Sequence, residues 1–279
     1  MPGATPPPWS VGYDVVAQTV DYDGPEPRYH PVKPDTARRI TTSGRTSVAA
    51  LWGATRWTIG RLAINPGVRI ETGSAAAGVN EFRVAPRLAA RFTVSPELSV
   101  SAAAGRSVQT IQALALSGPS AHPAFHAGQF WVTADHEAPA LVTDIVTLGF
   151  EQWLGAGFLA SATVHGGHSR GMTVPDPAPG PIGRRPPYVV GENEAWGIDA
   201  GMRRVAGRWT TSVGYGYGVS EVEAAGLRYP ASADRRHRLD ILAAAHLTTS
   251  LRAGLAFTAM SGAPFTRAIS RATAAECTL

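Results

Sequence analysis

The sequence contains almost no lysine, almost no cysteine and no long apolar run. Lys33 is the only lysine among 25 basic residues, and charged residues make up 16% of the 279 positions, against about 25% in ordinary soluble domains. The basic residues are spread along a chain of formal charge +4, so no basic stripe predicts nucleic-acid binding. Cys277 is the only cysteine, which excludes an intrachain disulfide framework and a zinc site built from cysteines.

Apolar residues reach 44% of the chain with a mean hydropathy of −0.04, yet no stretch approaches the ~18 consecutive apolar residues of a membrane helix. A transmembrane β-barrel has this profile because its strands are apolar at alternate residues only. A soluble all-β protein would have it as well. The first ten residues, MPGATPPPWS, lack the basic and apolar regions of a signal peptide. If the protein is exported, we therefore expect this chain to be a fragment or to begin at an internal methionine.

Alternation with a period of two residues recurs along the chain and predicts half-buried strands. In the clearest case Phe82, Val84, Pro86, Leu88, Ala90, Phe92 and Val94 alternate with Glu81, Arg83, Ala85, Arg87, Ala89, Arg91 and Thr93. About eleven long strands follow, roughly at 9–21, 43–53, 57–72, 81–94, 97–108, 140–152, 155–170, 191–205, 208–222, 235–247 and 251–262, with a possible short strand near 128–135. The predicted fold class is all-β, an antiparallel up-and-down meander and a partial transmembrane β-barrel.

The connections between these strands alternate strictly in length. Short turns are predicted near 54–56, 95–96, 153–154, 206–207 and 248–250, and longer links at 22–42, 73–80, 109–139, 171–190 and 223–234. Outer-membrane barrels have this layout, with tight periplasmic turns and long extracellular loops. Aromatic residues near the short turns are typical of an interfacial girdle; they are Trp52, Trp57, Phe150, Trp153 and Trp209.

Three segments carry a family resemblance: VAPRLAARFTVSPELSVSAAAGRSVQ (84–109), RYPASADRRHRLDI (228–241) and SGAPFT (261–266). In this order and spacing they resemble barrel strands of TonB-dependent outer-membrane receptors. Ser107 stands where that family often has an aromatic residue, and Ala263 replaces its usual arginine. The sequence shows no plug domain and no TonB box. We therefore expect residues 1–279 to form a single, incomplete barrel domain.

The resemblance implies an outer-membrane location, contact with membrane lipid, and a plug domain and TonB as partners in the complete protein. It implies uptake of a bulky nutrient such as a siderophore complex, a corrinoid or an oligosaccharide. Arg83, Arg87 and Arg91 would face the lumen. A passive porin-like or structural barrel protein and a soluble all-β binding module are the alternatives.

Several residue groups were weighed as sites, and none is predicted to be catalytic, cofactor-binding or metal-binding. His165 and His168 should point to opposite faces of a strand and so cannot share a metal. His122, His126, Asp135, His136 and Glu137 fall in a long link and are expected to be solvated. Asp234, Arg235, Arg236 and His237 are expected to form an ion-pair network at the lumen rim. The proline-rich segment 175–187 is expected to be a stiff loop, and no cofactor or enzymatic activity is predicted.

One further segment, RWTTSVGYGYGVS (208–220), superficially resembles a glycine-rich phosphate loop. A phosphate loop requires a strand, a glycine turn and the start of a helix. Here the glycines occur at every second residue, which predicts a barrel strand. Its aromatic face suits lipid and its small-residue face suits a lumen.

Overall fold

The computed structural model describes residues 8–25, 39–74, 80–115, 129–134, 138–175 and 188–264. These residues form strands, turns and bends without a helix, and none of them belongs to a helix long and apolar enough to cross a membrane. The strands are β1 (Trp9–Pro25), β2 (Arg39–Thr55), β3 (Trp57–Ile59), β4 (Leu62–Ser74), β5 (Asn80–Thr93), β6 (Leu98–Gln109), β7 (Ile111–Ala115), β8 (Gln129–Thr133), β9 (Leu141–Gly155), β10 (Phe158–Pro175), β11 (Tyr188–Ala206), β12 (Trp209–Ala224), β13 (Leu227–Pro230), β14 (His237–His246) and β15 (Arg252–Met260).

The predicted antiparallel meander is confirmed. Eleven strands follow one another in a single sheet in the order β1-β2-β4-β5-β6-β9-β10-β11-β12-β14-β15. The short strands β3 and β13 attach to β4 and β12, whereas β7 and β8 form a separate two-stranded sheet. The large sheet remains open within the described residues, with β1 and β15 at its two edges.

Two short turns lie elsewhere than predicted, and three are confirmed. The chain continues through 54–56 in unchanged register, with the Arg56 amide donating to the Pro8 carbonyl at 2.7 Å, and the turn comes at Gly60–Arg61. The next shifted turn is at Ala156–Gly157 instead of 153–154. Positive φ angles of 59° at Gly60 and 80° at Gly157 explain both positions, because glycine takes this conformation without a side-chain clash. The turns near 95–96, 206–207 and 248–250 are confirmed.

The turns after β3, β5, β9, β11 and β14 lie at one end of the sheet, called here the short-turn end. The links after β1, β4, β6, β10 and β12 lie at the opposite, long-link end. Two short strands in these links, β7 and β13, were not predicted, while β8 confirms the expected short strand near 128–135. These short segments become strands because they pair with a partner segment in a hairpin. The partner cannot be recognised from a few residues of local sequence.

The two clusters of buried apolar residues lie at the long-link end, whereas Ala245, which is buried outside these clusters, lies near the short-turn end of β14. Val174, Val222, Ala224 and Ala231 form one cluster, and Val132 packs with Ala138 and Tyr188 in another. The middles of the strands, in contrast, expose large apolar side chains such as Leu148 at 62% and Val164 at 50%. Contiguous exposed apolar surface of this kind marks a face that contacts protein or membrane.

Candidate membrane and lumen faces

Strand pairing divides the sheet into two faces. Directly paired residues of neighbouring strands lie on the same face, and successive residues along a strand alternate between faces. One row of paired residues crosses nine strands and serves as a reference line; it consists of Ser10, Ala54, Gly67, Arg87, Gly105, Ile145, Gly167, Ala195 and Ser220.

The face that contains this reference row is polar. It carries the three arginines that the sequence assigned to the lumen together with acidic residues from other strands. The charged or titratable members include Asp14, Arg69, Glu71, Arg83, Arg87, Arg91, Glu151, His165, Asp199, Arg203, Arg238, Asp240, His246 and Arg252.

Ion pairs connect strands across the polar face. The Arg91 guanidinium lies 2.6 Å from the Glu151 carboxylate, so this pair crosses the intervening strand β6. Arg69 contacts Asp14 of β1 and Glu71 of its own strand. His165 Nδ1 lies 3.3 Å from Asp199 Oδ2. These contacts give the charged side chains polar partners, and the face as a whole remains polar. Such a face suits contact with water or with a polar plug.

We expect Glu151→Gln to lower the free energy of unfolding by less than about 1 kcal/mol, because both partners are about half exposed and water screens them. Urea unfolding of the complete protein in lipid vesicles measures this change. Ser99→Ala is the matched control, since the Ser99 hydroxyl also accepts a hydrogen bond from Arg91 at 2.7 Å. A cost of several kcal/mol for Glu151→Gln would show that this face is dry.

The opposite face is apolar over the middle of every long strand. On β9 it carries Val146, Leu148 and Phe150, and on β11 Trp196 and Ile198. The predicted alternation on β5 places Leu88 and Phe92 on this face and Arg87 and Arg91 on the other. This face has the composition of a lipid-facing surface.

Aromatic residues mark the lower boundary of the apolar face on a sloping line. The number of residues between the reference row and the aromatic residue, counted toward the short-turn end, increases across the sheet. It is one for Trp9 on β1, three for Trp57 on β3, five for Phe92 on β5 and eleven for Trp209 on β12. The aromatic position thus shifts by about ten residues over eight strand spacings. At ~3.4 Å per residue and ~4.8 Å between strands, this slope corresponds to a tilt of about 42°. Transmembrane barrel strands are tilted by ≈ 35–45°.

Charged residues mark the upper boundary of the same face. On five neighbouring strands the first charged or titratable residue lies one position above the reference row; these are Arg106, Asp144, His168, Glu194 and Glu221. The aromatic and charged boundary residues Trp209 and Glu221 are twelve positions apart along the chain, and Trp57 and Arg45 are also twelve positions apart. At ~3.4 Å per residue and this tilt, the apolar band is about 30 Å high in these two places, which is the thickness of a bilayer core.

The glycine-rich segment forms β12 as predicted. Tyr215 and Tyr217 lie on the apolar face, and Gly214, Gly216 and Gly218 on the polar face. A Cβ atom at Gly216 would lie 2.7 Å from the Asp199 carboxylate. The absence of a side chain there leaves room for Asp199 Oδ1 on the β12 side, while Asp199 Oδ2 meets His165 of β10 on the other side. The segment is a strand and holds no phosphate loop.

The girdle prediction is wrong for two of its five residues. Trp52 pairs with Arg69, and Trp153 pairs with Leu159, so both lie on the polar face. The strands continue through both predicted turns with their period-two alternation unchanged. Trp52 is five residues before Trp57 and Trp153 is three residues after Phe150, and an odd separation places two side chains on opposite faces of a strand. Trp57, Phe150 and Trp209 are on the apolar face, and pairing adds Trp9 and Phe92.

His165 and His168 lie on opposite faces, as predicted. His165 contacts Asp199 on the polar face, and His168 Nε2 lies 3.1 Å from Glu192 on the other. In the part of the chain that the structure describes, no group of three or more His, Cys, Asp or Glu residues could hold a metal. His122, His126, Asp135, His136 and Glu137 lie outside the described residues, as does nearly all of the proline-rich segment 175–187.

The segment Asp234–His237 forms the expected ion-pair network. Arg236 Nε lies 3.3 Å from Asp234 Oδ2, and this hydrogen bond raises the pKa of the guanidinium. Asp234 is buried and its other oxygen accepts a hydrogen bond from the Ser220 amide at 3.3 Å. Two of the motif segments also meet, because the His237 amide donates to Ser261 Oγ at 3.1 Å. The motif therefore fixes the start of β14 between β12 and the end of β15.

The sequence matches the protein family described as TonB dependent receptor-like, beta-barrel over residues 4–270. The chain belongs to this family. The family is one of receptors and transporters, and it is not an enzyme class. No curated protein sequence matches the chain.

Solved structures show the same TonB-dependent receptor fold. The FrpB iron transporter from Neisseria meningitidis matches with a TM-score of 0.59 at 11% identity, covering 90% of this chain and 40% of that protein. The copper transporter OprC matches with a TM-score of 0.57 at 11% identity, with the same coverage. FauA, the alcaligin outer-membrane receptor from Bordetella pertussis, matches with a TM-score of 0.53 at 12% identity, covering 91% and 46%. The chain thus spans less than half the length of these proteins.

Proposed function

We propose that this chain is part of an outer-membrane receptor that takes up a scarce, bulky nutrient with energy transmitted by TonB. The observation that carries the proposal is the apolar band, whose aromatic boundary slopes across the sheet as that of a tilted transmembrane barrel does. Family membership adds the plug domain and TonB as partners. The iron, copper and siderophore specificities of the similar structures make a metal or its chelate the first ligand class to test.

The two open edges support a barrel completed by further strands. Edge amides cannot remain unpaired in a bilayer. Because ten antiparallel pairings separate β1 from β15, these strands run in the same direction. If β15 of one copy paired with β1 of another copy, the two strands would be parallel. An antiparallel barrel can close only if an odd number of further strands lies between β15 and β1. A plugged barrel of roughly 22 strands requires eleven more, which is an odd number.

Uptake by the complete protein tests this function. We expect the receptor to fractionate with the outer membrane and to accumulate one member of a labelled panel of ferric siderophores, copper, corrinoids and oligosaccharides. Accumulation should require TonB. Equal accumulation in a strain without TonB would instead show a passive, porin-like barrel, and an aqueous-soluble, monodisperse product would contradict the membrane assignment.

A further inference from the structure

The hairpin of β7 and β8 is anchored to β10 by a buried glutamine. The Gln112 amide nitrogen donates to the carbonyl oxygens of Gly171 at 2.7 Å and Pro139 at 3.2 Å. Its oxygen accepts from the Thr173 amide at 2.9 Å and from the Thr173 hydroxyl at 3.1 Å. The register of β10 shifts between Arg170 and Met172, and such a bulge leaves backbone groups without ladder partners. Gln112 therefore binds the bulge as a neighbouring strand would.

The same hairpin is anchored to β2 by close packing on a glycine. A Cβ atom at Gly44 would lie 2.6 Å from Thr133 Oγ1 and 3.4 Å from Thr133 Cβ. Thr133 is 9% exposed. Gly44 lies on the polar face of β2, since it shares the alternation of Ala54 in the reference row. A larger residue at 44 would displace the hairpin from this strand.

The two anchors use opposite faces of the hairpin and distant strands of the sheet. Gln112 pairs with Val132 and Ile111 with Thr133, so the Gln112 and Thr133 side chains point in opposite directions. Val132 adds apolar contact with Tyr188 of β11 on the Gln112 side. In the sheet β2 and β10 are separated by β4, β5, β6 and β9. The hairpin consequently links β2 to β10 across four intervening strands, and it meets β2 on the polar face of that strand.

We propose that the β7–β8 hairpin is a fixed strap across the polar face at the long-link end. It holds β2 and β10 at a set distance and narrows the mouth above β4, β5, β6 and β9. A solute that approaches the lumen from the long-link side has to pass beside the strap. The inference concerns where the hairpin docks, so its test is independent of the transported ligand and of TonB.

A disulfide between the strap and β2 tests the docking in the complete protein on intact cells. All native cysteines, Cys277 included, are replaced by serine, and Gly44→Cys is combined with Thr133→Cys. The Cβ separation of 3.4 Å is close to the 3.5–4.5 Å of disulfides, so we expect the bond to form when copper–phenanthroline is added as the oxidant that accepts the two electrons from the thiols. The control pairs Thr133→Cys with Gly53→Cys, nine residues along β2 and on its other face. We expect about tenfold fewer free thiols in the test pair; equal numbers would overturn the proposal.

Thiol labelling covers the case in which Gly44→Cys impairs folding. On intact cells, Thr133→Cys should react about tenfold more slowly with a polymer-linked maleimide than Trp131→Cys, whose position is 46% exposed. Adding Gln112→Ala should raise the labelling of Cys at 133 severalfold, because it removes the β10 anchor. Gln109→Ala, which removes only an exposed contact with the Ile111 carbonyl, should not. Equal labelling at 131 and 133, or no effect of Gln112→Ala, would show that no strap is docked.

Discussion

Leu148→Arg is expected to lower the free energy of unfolding by about 2–4 kcal/mol, the cost of arginine on the lipid face of a barrel near the bilayer midplane. Leu148 is 62% exposed and lies between the charged boundary residue Asp144 and the short-turn end of β9. Thr147→Arg places the same side chain one residue away on the polar face. There water and neighbouring polar groups can solvate it, so a change below about 1 kcal/mol is expected.

Urea unfolding of the complete protein in lipid vesicles compares the two variants directly. Because the substituting residue is the same, both variants gain the same charge and the same side chain. A larger cost for Thr147→Arg than for Leu148→Arg would mean that the two faces are assigned the wrong way round. Equal costs would mean that neither face contacts lipid.

Gly157→Ala is expected to lower the free energy of unfolding by about 2–5 kcal/mol, the sum of a left-handed backbone and an overpacked contact. Gly157 has a φ of 80°, and an added Cβ would lie 2.1 Å from the Val205 carbonyl oxygen. Backbone cannot move aside cheaply there, because the Val205 amide also donates to the Gly157 carbonyl at 3.0 Å. The turn and the β10–β11 pairing would both be disturbed.

Gly207→Ala is the matched control for this turn variant. Gly207 also lies in a short turn with a positive φ of 56°, but an added Cβ meets nothing within 4 Å. Only the conformational cost of about 1–2 kcal/mol applies. The same urea titration separates the cost of the left-handed backbone conformation from the cost of the close contact with Val205. If both variants lowered the free energy of unfolding equally, the contact with Val205 would have no influence.

Local pattern predicted the existence of the long strands well, because each alternates over ten or more residues. The Phe82–Val94 alternation placed Arg87 and Leu88 on the correct opposite faces without any structure. The opposite orientations of His165 and His168 followed from the same period. Family membership was predicted from segments such as Asp234–His237, whose contacts with Ser220 and Ser261 show why they recur as a unit.

Features that depend on pairing could not be predicted from local sequence. The orientation of Trp52 and Trp153 depends on where the strands end, because each strand continues past the turn predicted beside these residues and regular alternation then places them on the polar face. The slope from Trp9 to Trp209 emerges only when nine strands are in register. Gln112 lies in a segment expected to be a link, and its role depends on a bulge at Gly171, about sixty residues away.

The period-two exposure of β12 to lipid tests the central claim most directly. In a cysteine-free complete protein reconstituted in vesicles, single spin labels are placed in turn at positions 211 to 219, and their collisions with oxygen and with a water-soluble nickel chelate are compared. We predict that oxygen, which concentrates in lipid, dominates at the odd positions, which include Val213, Tyr215 and Tyr217, and not at Gly214, Gly216 and Gly218. Oxygen dominance at the even positions, or no alternation, would contradict a lipid-facing apolar band.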